Sequence, residues 1–94
     1  MSIILSQLNN KRFFMKIYDY HGRKNLCGGK VRQARKTLKL SQADLAARMQ
    51  VNGIIIERDC ISRIEMGSRF VADYELKILA KVLKVTVEWL LSDN

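Results

Sequence analysis

The chain has 94 residues, enough for one domain with a small core but leaving little room for an enclosed catalytic pocket. With 48% hydrophobic and 28% charged residues it is not a disordered chain, and no apolar run is long enough for a secretory signal or a membrane span. A net charge of +8 predicts attraction to polyanions.

The chain divides near Gly28-Gly29, giving an N-terminal extension over 1–28 and a densely helical part over 29–92. The extension has no sustained helical periodicity. Five of its residues are Lys or Arg and one is Asp, a surplus of +4. Ser2 to Leu8 suits a helical turn or two, and Phe13 to Tyr20 has β-propensity with poor alternation. Met15-Lys16-Ile17-Tyr18 looks like an independent beginning of the chain. His21 to Asn25 reads as a basic turn, either an arm that follows a nucleic-acid backbone or a tail that folds over the domain. His21, Cys27 and Cys60 lack the paired-ligand spacing of a zinc site, so no metal and no cofactor is expected. The expected setting is the cytoplasm, with both thiols reduced.

Five helices follow in order, with no proline to interrupt them. The first runs from about Gly29 to Lys39, with Val31, Ala34 and Leu38 on one face. The second has Ser41 as N-cap, Asp44 at N3 as a short capping box, and Leu40 stapled to Leu45; Asn52-Gly53 stops it. The third takes Glu57 as N-cap, because that register puts Ile56 at N′ opposite Ile61 at N4. A cap at Asp59 would put two arginines there instead. Asp59 near this start complements the helix dipole, and Gly67 ends the helix. The fourth runs from a cap at Asp73 to about Lys84, with Leu76, Leu79, Ala80 and Leu83 in a stripe. The fifth starts at Thr86, stapled by Val85 and Leu90, and ends near Ser92. Apolar stripes on five short helices imply one shared core in an all-α fold.

Leu40-Ser41-Gln42-x-x-Leu45-Ala46, then Ile61-Ser62-x-Ile64-Glu65-x-Gly67, then Leu79-Ala80-x-x-Leu83-x-Val85 with Leu90-Leu91, resembles the phage repressor/Cro-type (XRE-like) helix-turn-helix family over residues 29–92. The turn between Met49 and Ile61 is several residues longer than is usual there. A long-turn subgroup is similar, with the run Arg69-Phe70-Val71-x-Asp73-Tyr74-Glu75-Leu76.

The resemblance implies a compact five-helix domain that binds double-stranded DNA and regulates transcription, most readily as a repressor and a homodimer. Its third helix would enter the major groove, with Arg58, Asp59, Ser62 and Arg63 at base edges. Gln42, Lys39, Ser68 and Arg69 would touch phosphates. Arg35 and Glu65 would pair across the first and third helices as a structural ion pair.

The competing function is an antitoxin-like module that binds a protein partner through the N-terminal segment and the run Ile54-Ile55-Ile56. The plainer expectation for that run is that Ile56 packs beneath the third helix. Trp89 is expected in the core or, with Leu91, on a dimer surface. An enzyme is not expected: there is one histidine, no readable pair of catalytic carboxylates and no phosphate-cradling glycine loop.

Overall fold

The computed structural model describes residues 20–93, and these form five helices and no strand. Helix α1 spans Gly28–Thr37, α2 Gln42–Val51, α3 Arg58–Met66, α4 Asp73–Leu83 and α5 Val87–Leu90. The expectations for Ser2 to Asp19, including Met15, lie outside the described residues.

Local chemistry accounts for most of the helix ends. At α2 the Ser41 hydroxyl accepts from the Asp44 N–H, and the Asp44 carboxylate accepts from the Ser41 N–H, both at 2.9 Å. Two backbone donors that a helix start leaves unpaired are thereby satisfied. Glu57 does cap α3, in an extended conformation and without a side-chain bond. What fixes that register is apolar: Ile56 and Ile61 are both buried in the core. Gly67 ends α3 at φ +81°, where a side chain would be strained. Thr86 caps α5 by accepting from the Trp89 N–H at 3.0 Å.

Three helices differ from expectation at their ends. Helix α4 is capped by Ala72, with Asp73 already its first residue. Alanine has no oxygen to offer, and the Glu75 carboxylate instead accepts from the Ala72 N–H at 2.9 Å. Helix α5 closes at Leu90, short of Ser92. Helix α1 begins at Gly28 behind Cys27 and ends at Thr37, two residues before Lys39, which turns to φ +58°.

The early start of α1 has a long-range cause. Asn25 is buried, and its side-chain oxygen accepts from the Gly28 N–H at 2.8 Å. Its amide nitrogen donates to the carbonyls of Ile64 at 3.0 Å and Arg69 at 2.8 Å. The Lys24 N–H reaches the Gly67 carbonyl at 2.7 Å, and Arg23 Nη2 reaches that of Glu65 at 3.2 Å. Residues 23–28 therefore clasp the carbonyl end of α3. Within His21 to Asn25, Arg23, Lys24 and Asn25 bond to the end of α3 and the turn beyond it, while His21 and Gly22 are exposed.

The core draws on every helix: Val31 and Ala34 from α1, Leu45 and Met49 from α2, Ile61 and Ile64 from α3, Leu79 and Leu83 from α4, and Leu90 from α5. Burying each larger aliphatic side chain is worth about 1.5–3 kcal/mol. The isoleucine run divides: Ile56 is in the core, Ile54 packs at its edge, and Ile55 is 97% exposed. Trp89 packs against the core from outside, with the Lys30 ammonium 4.7 Å from its ring centre, while Leu91 is exposed.

Candidate nucleic-acid interface

The core orients α3 by burying Ile61, Ile64 and Glu65, so its other side faces solvent. Arg58, Asp59, Arg63 and Met66 are exposed and Ser62 is half-buried among them. Arg58 and Asp59 stand four residues before Ser62 and Arg63 respectively, and these stand three or four before Met66, so the five share one side of the helix.

Behind this face is an ion pair that joins three elements. Arg35 Nε meets Glu65 Oε2 at 2.6 Å, and Arg35 Nη2 meets Oε1 at 3.0 Å. Arg35 Nη1 also donates to the Leu40 carbonyl at 2.8 Å, which ties in the α1–α2 turn. Both residues are buried, and the bond to Glu65 holds the Arg35 guanidinium above its usual pKa against the opposing effect of burial.

Glu65 has a third partner. Gln42, the first residue of α2, donates its amide nitrogen to Glu65 Oε1 at 3.2 Å. The Gln42 side-chain oxygen accepts from Arg58 Nη1 at 3.4 Å, and Arg58 Nη2 meets Asp59 Oδ1 at 2.6 Å. A carboxylate can only accept and a guanidinium can only donate, so Gln42 between them has its amide orientation fixed. A continuous chain of bonds thus runs from the buried Arg35 to the exposed Arg58 and Asp59.

The other residues singled out in the sequence are distributed around this chain. Arg63 is exposed and makes no side-chain hydrogen bond or ion pair among the described residues. Ser68, exposed just past α3, sits with its hydroxyl 3.4 Å from the Arg63 carbonyl. Lys39 is exposed ahead of α2.

Arg69, expected at a phosphate, is engaged within the chain. Its Nη1 and Nη2 grip the two oxygens of Glu75 at 3.0 and 2.9 Å, and Nη1 also reaches the Phe70 carbonyl at 2.9 Å. That pairing pulls the Glu75 carboxyl below its usual pKa and raises the Arg69 guanidinium. Arg69 therefore holds the turn between α3 and α4. Sequence reasoning missed this pair, although both residues lie in the run from Arg69 to Leu76 that it singled out. It also missed Asn25, whose one local signal is its place three residues ahead of Gly28.

Among the described residues no helix is long and apolar enough to cross a membrane, and no cluster of His, Cys, Asp or Glu is arranged to hold a metal ion.

Residues 31–90, well over half of the chain, match the family model described as helix-turn-helix. No curated protein and no solved structure is similar enough to the chain to count as a match. The matched span contains α2, the turn and α3, with the ion pair and the exposed face described above. The chain belongs to the phage repressor/Cro-type helix-turn-helix family of DNA-binding regulators.

Proposed function

We propose that the protein is a sequence-specific repressor that binds operator DNA as a homodimer and reads the major groove with α3. The observation that carries this reading is the exposed face of α3 coupled to Gln42. Arg58, Asp59, Ser62 and Arg63 stand together on it, and Gln42 bridges Glu65 and Arg58.

Each side chain has a chemical role in this reading. Arg63, free of partners among the described residues, is the main guanine reader through bidentate contact to O6 and N7. Arg58 is a second reader, held in place by Gln42 and Asp59. Asp59 accepts from a cytosine amino group, and Ser62 accommodates either edge. Gln42, Lys39 and Ser68 touch phosphates and set the register of α3 in the groove. The unpaired N–H groups at the start of α2 add to the phosphate contact. Repression then needs nothing beyond occupancy, since a protein seated over a promoter excludes the polymerase. Two copies are required because one α3 covers only a few base pairs, and half-sites about 34 Å apart supply the remaining specificity.

Selection of duplexes from a random library by the purified chain tests this reading. The expected result is enriched sites with two-fold symmetry, bound by two chains. Failure to enrich any sequence, with binding that vanishes steeply as salt rises, would leave only non-specific electrostatics and refute it.

A further inference from the structure

On another side of the molecule from the reading face, two shallow grooves adjoin. The first, of about 270 Å³, lies between the C-terminal ends of α2 and α4 and is lined by Arg48, Val51, Asn52, Lys81, Val82 and Lys84. The second, of about 220 Å³, continues past Lys84 onto Leu38, Val85 and Trp89. Helix α3 contributes no residue to either groove. Val51 stands nine residues after Gln42, and at about 100° per residue it projects from the opposite side of α2.

The floor is apolar and uncovered, with Val51 85% exposed. The rim is cationic, and no Asp or Glu lines either groove. Ion pairs among the described residues engage Arg35, Arg58 and Arg69, but none of Arg48, Lys81 and Lys84. Cations in the last turn of a helix complement its dipole, which accounts for Arg48 on α2 and Lys81 on α4. It does not account for the bare Val51 beside them.

We propose that this double groove docks an acidic protein segment carrying apolar anchors, so that the domain can hold a protein partner while it holds DNA. Charge selects this occupant. A second copy of the chain brings its own net charge of +8 to a cationic rim, whereas an acidic segment neutralises Arg48, Lys81 and Lys84 and covers Val51 and Trp89. The proposal is independent of the DNA reading, because no residue assigned to DNA lines the groove.

The test is selection of a phage-displayed library of random short peptides on the full chain, with duplex DNA in excess to occupy the reading face. Trp89, the single tryptophan, reports on the second groove through its fluorescence when tryptophan-free peptides are titrated. The expected peptides are rich in Asp and Glu with apolar residues between, and they change the Trp89 signal saturably. Lys81→Glu and Val51→Asp should each weaken them by about tenfold or more. Lys84→Gly separates docking from folding. Lys84 closes α4 in the left-handed conformation at φ +60°, where glycine is preferred. That variant should melt higher than the parent and still lose peptide affinity. Arg58→Ala should leave peptide binding unchanged. Four results overturn the proposal: no enrichment; enriched peptides that are not acidic; peptides displaced by DNA or lost in Arg58→Ala; and self-association that Val51→Asp abolishes, which would make a second copy the occupant.

Discussion

Gln42 and Glu65 face each other across the α2–α3 junction, with the glutamine amide donating to the carboxylate at 3.2 Å. The same carboxylate neutralises Arg35, so one buried residue both closes the core and orients Gln42 beside the exposed face of α3. Removing it should damage folding and recognition together. Glu65→Ala leaves Arg35 buried without its counter-charge, a loss of about 3–5 kcal/mol. Thermal melting should show a large fall in Tm and anisotropy a weaker affinity for DNA; an unchanged Tm would reject the structural role of the pair.

Two adjacent glycines should respond in opposite directions to the same change. A Cβ at Gly28 would collide with the backbone carbonyl of Ile64, so Gly28→Ala forces α1 and α3 apart. The expected cost is about 1–3 kcal/mol. At Gly29 a Cβ meets nothing within 4 Å, and alanine favours the helix by about 0.5–1 kcal/mol. Urea denaturation of the two variants checks the signs.

The clasp at Asn25 should be worth more than its one side chain suggests. Asn25→Ala removes two donors and one acceptor, leaving the Ile64 and Arg69 carbonyls and the Gly28 N–H without those partners. Each buried group left unsatisfied costs about 1–3 kcal/mol. The urea midpoint should fall sharply while the m-value stays constant, since the same surface is exposed on unfolding.

Acid should unfold the domain partly through Glu75. Its folded pKa lies below the usual 4.5, because Arg69 and the Ala72 N–H favour the ionised form against burial. Over that interval the unfolded chain binds the proton and the folded chain does not, so stability rises with pH. The contribution is therefore complete above the unfolded value and lost as pH falls through the folded one. Asp44, whose pKa its bonds to Ser41 also lower, acts in the same sense. Melting curves from neutral pH down to pH 3 should show Tm falling with acid, and a shallower fall in Glu75→Gln.

What the sequence revealed was what is local. Ser41 and Thr86 carry capping oxygens at fixed distances from apolar residues, and Ile56 with Ile61 settled the start of α3 where Glu57 alone is a poor cap. The cap of α4 was misread because its partner, Glu75, lies inside the helix and Ala72 carries no signal at all. The start of α1 depends on Asn25 and on the close approach of Gly28 to Ile64, thirty-six residues away, which no periodicity records. At the reading face the exposed stripe of α3 followed from helical spacing. The orientation of Gln42 and the engagement of Arg69 by Glu75 did not, because both depend on which charged side chain the fold brings nearest.

In the proposed complex α3 reads bases while the start of α2 grips phosphate, and one measurement separates the two. Fluorescence anisotropy of the parent chain, Arg63→Ala and Gln42→Ala would be recorded on the selected duplex and its single-base variants, at two salt concentrations. Arg63→Ala should lose about 1–3 kcal/mol of discrimination at one base pair and keep the rest. Gln42→Ala should weaken every duplex and relax preference only at the base pair that Arg58 reads, because Gln42 holds Arg58. If Arg63→Ala instead weakens all duplexes equally, or neither variant changes binding, α3 is not the reading element and the account fails.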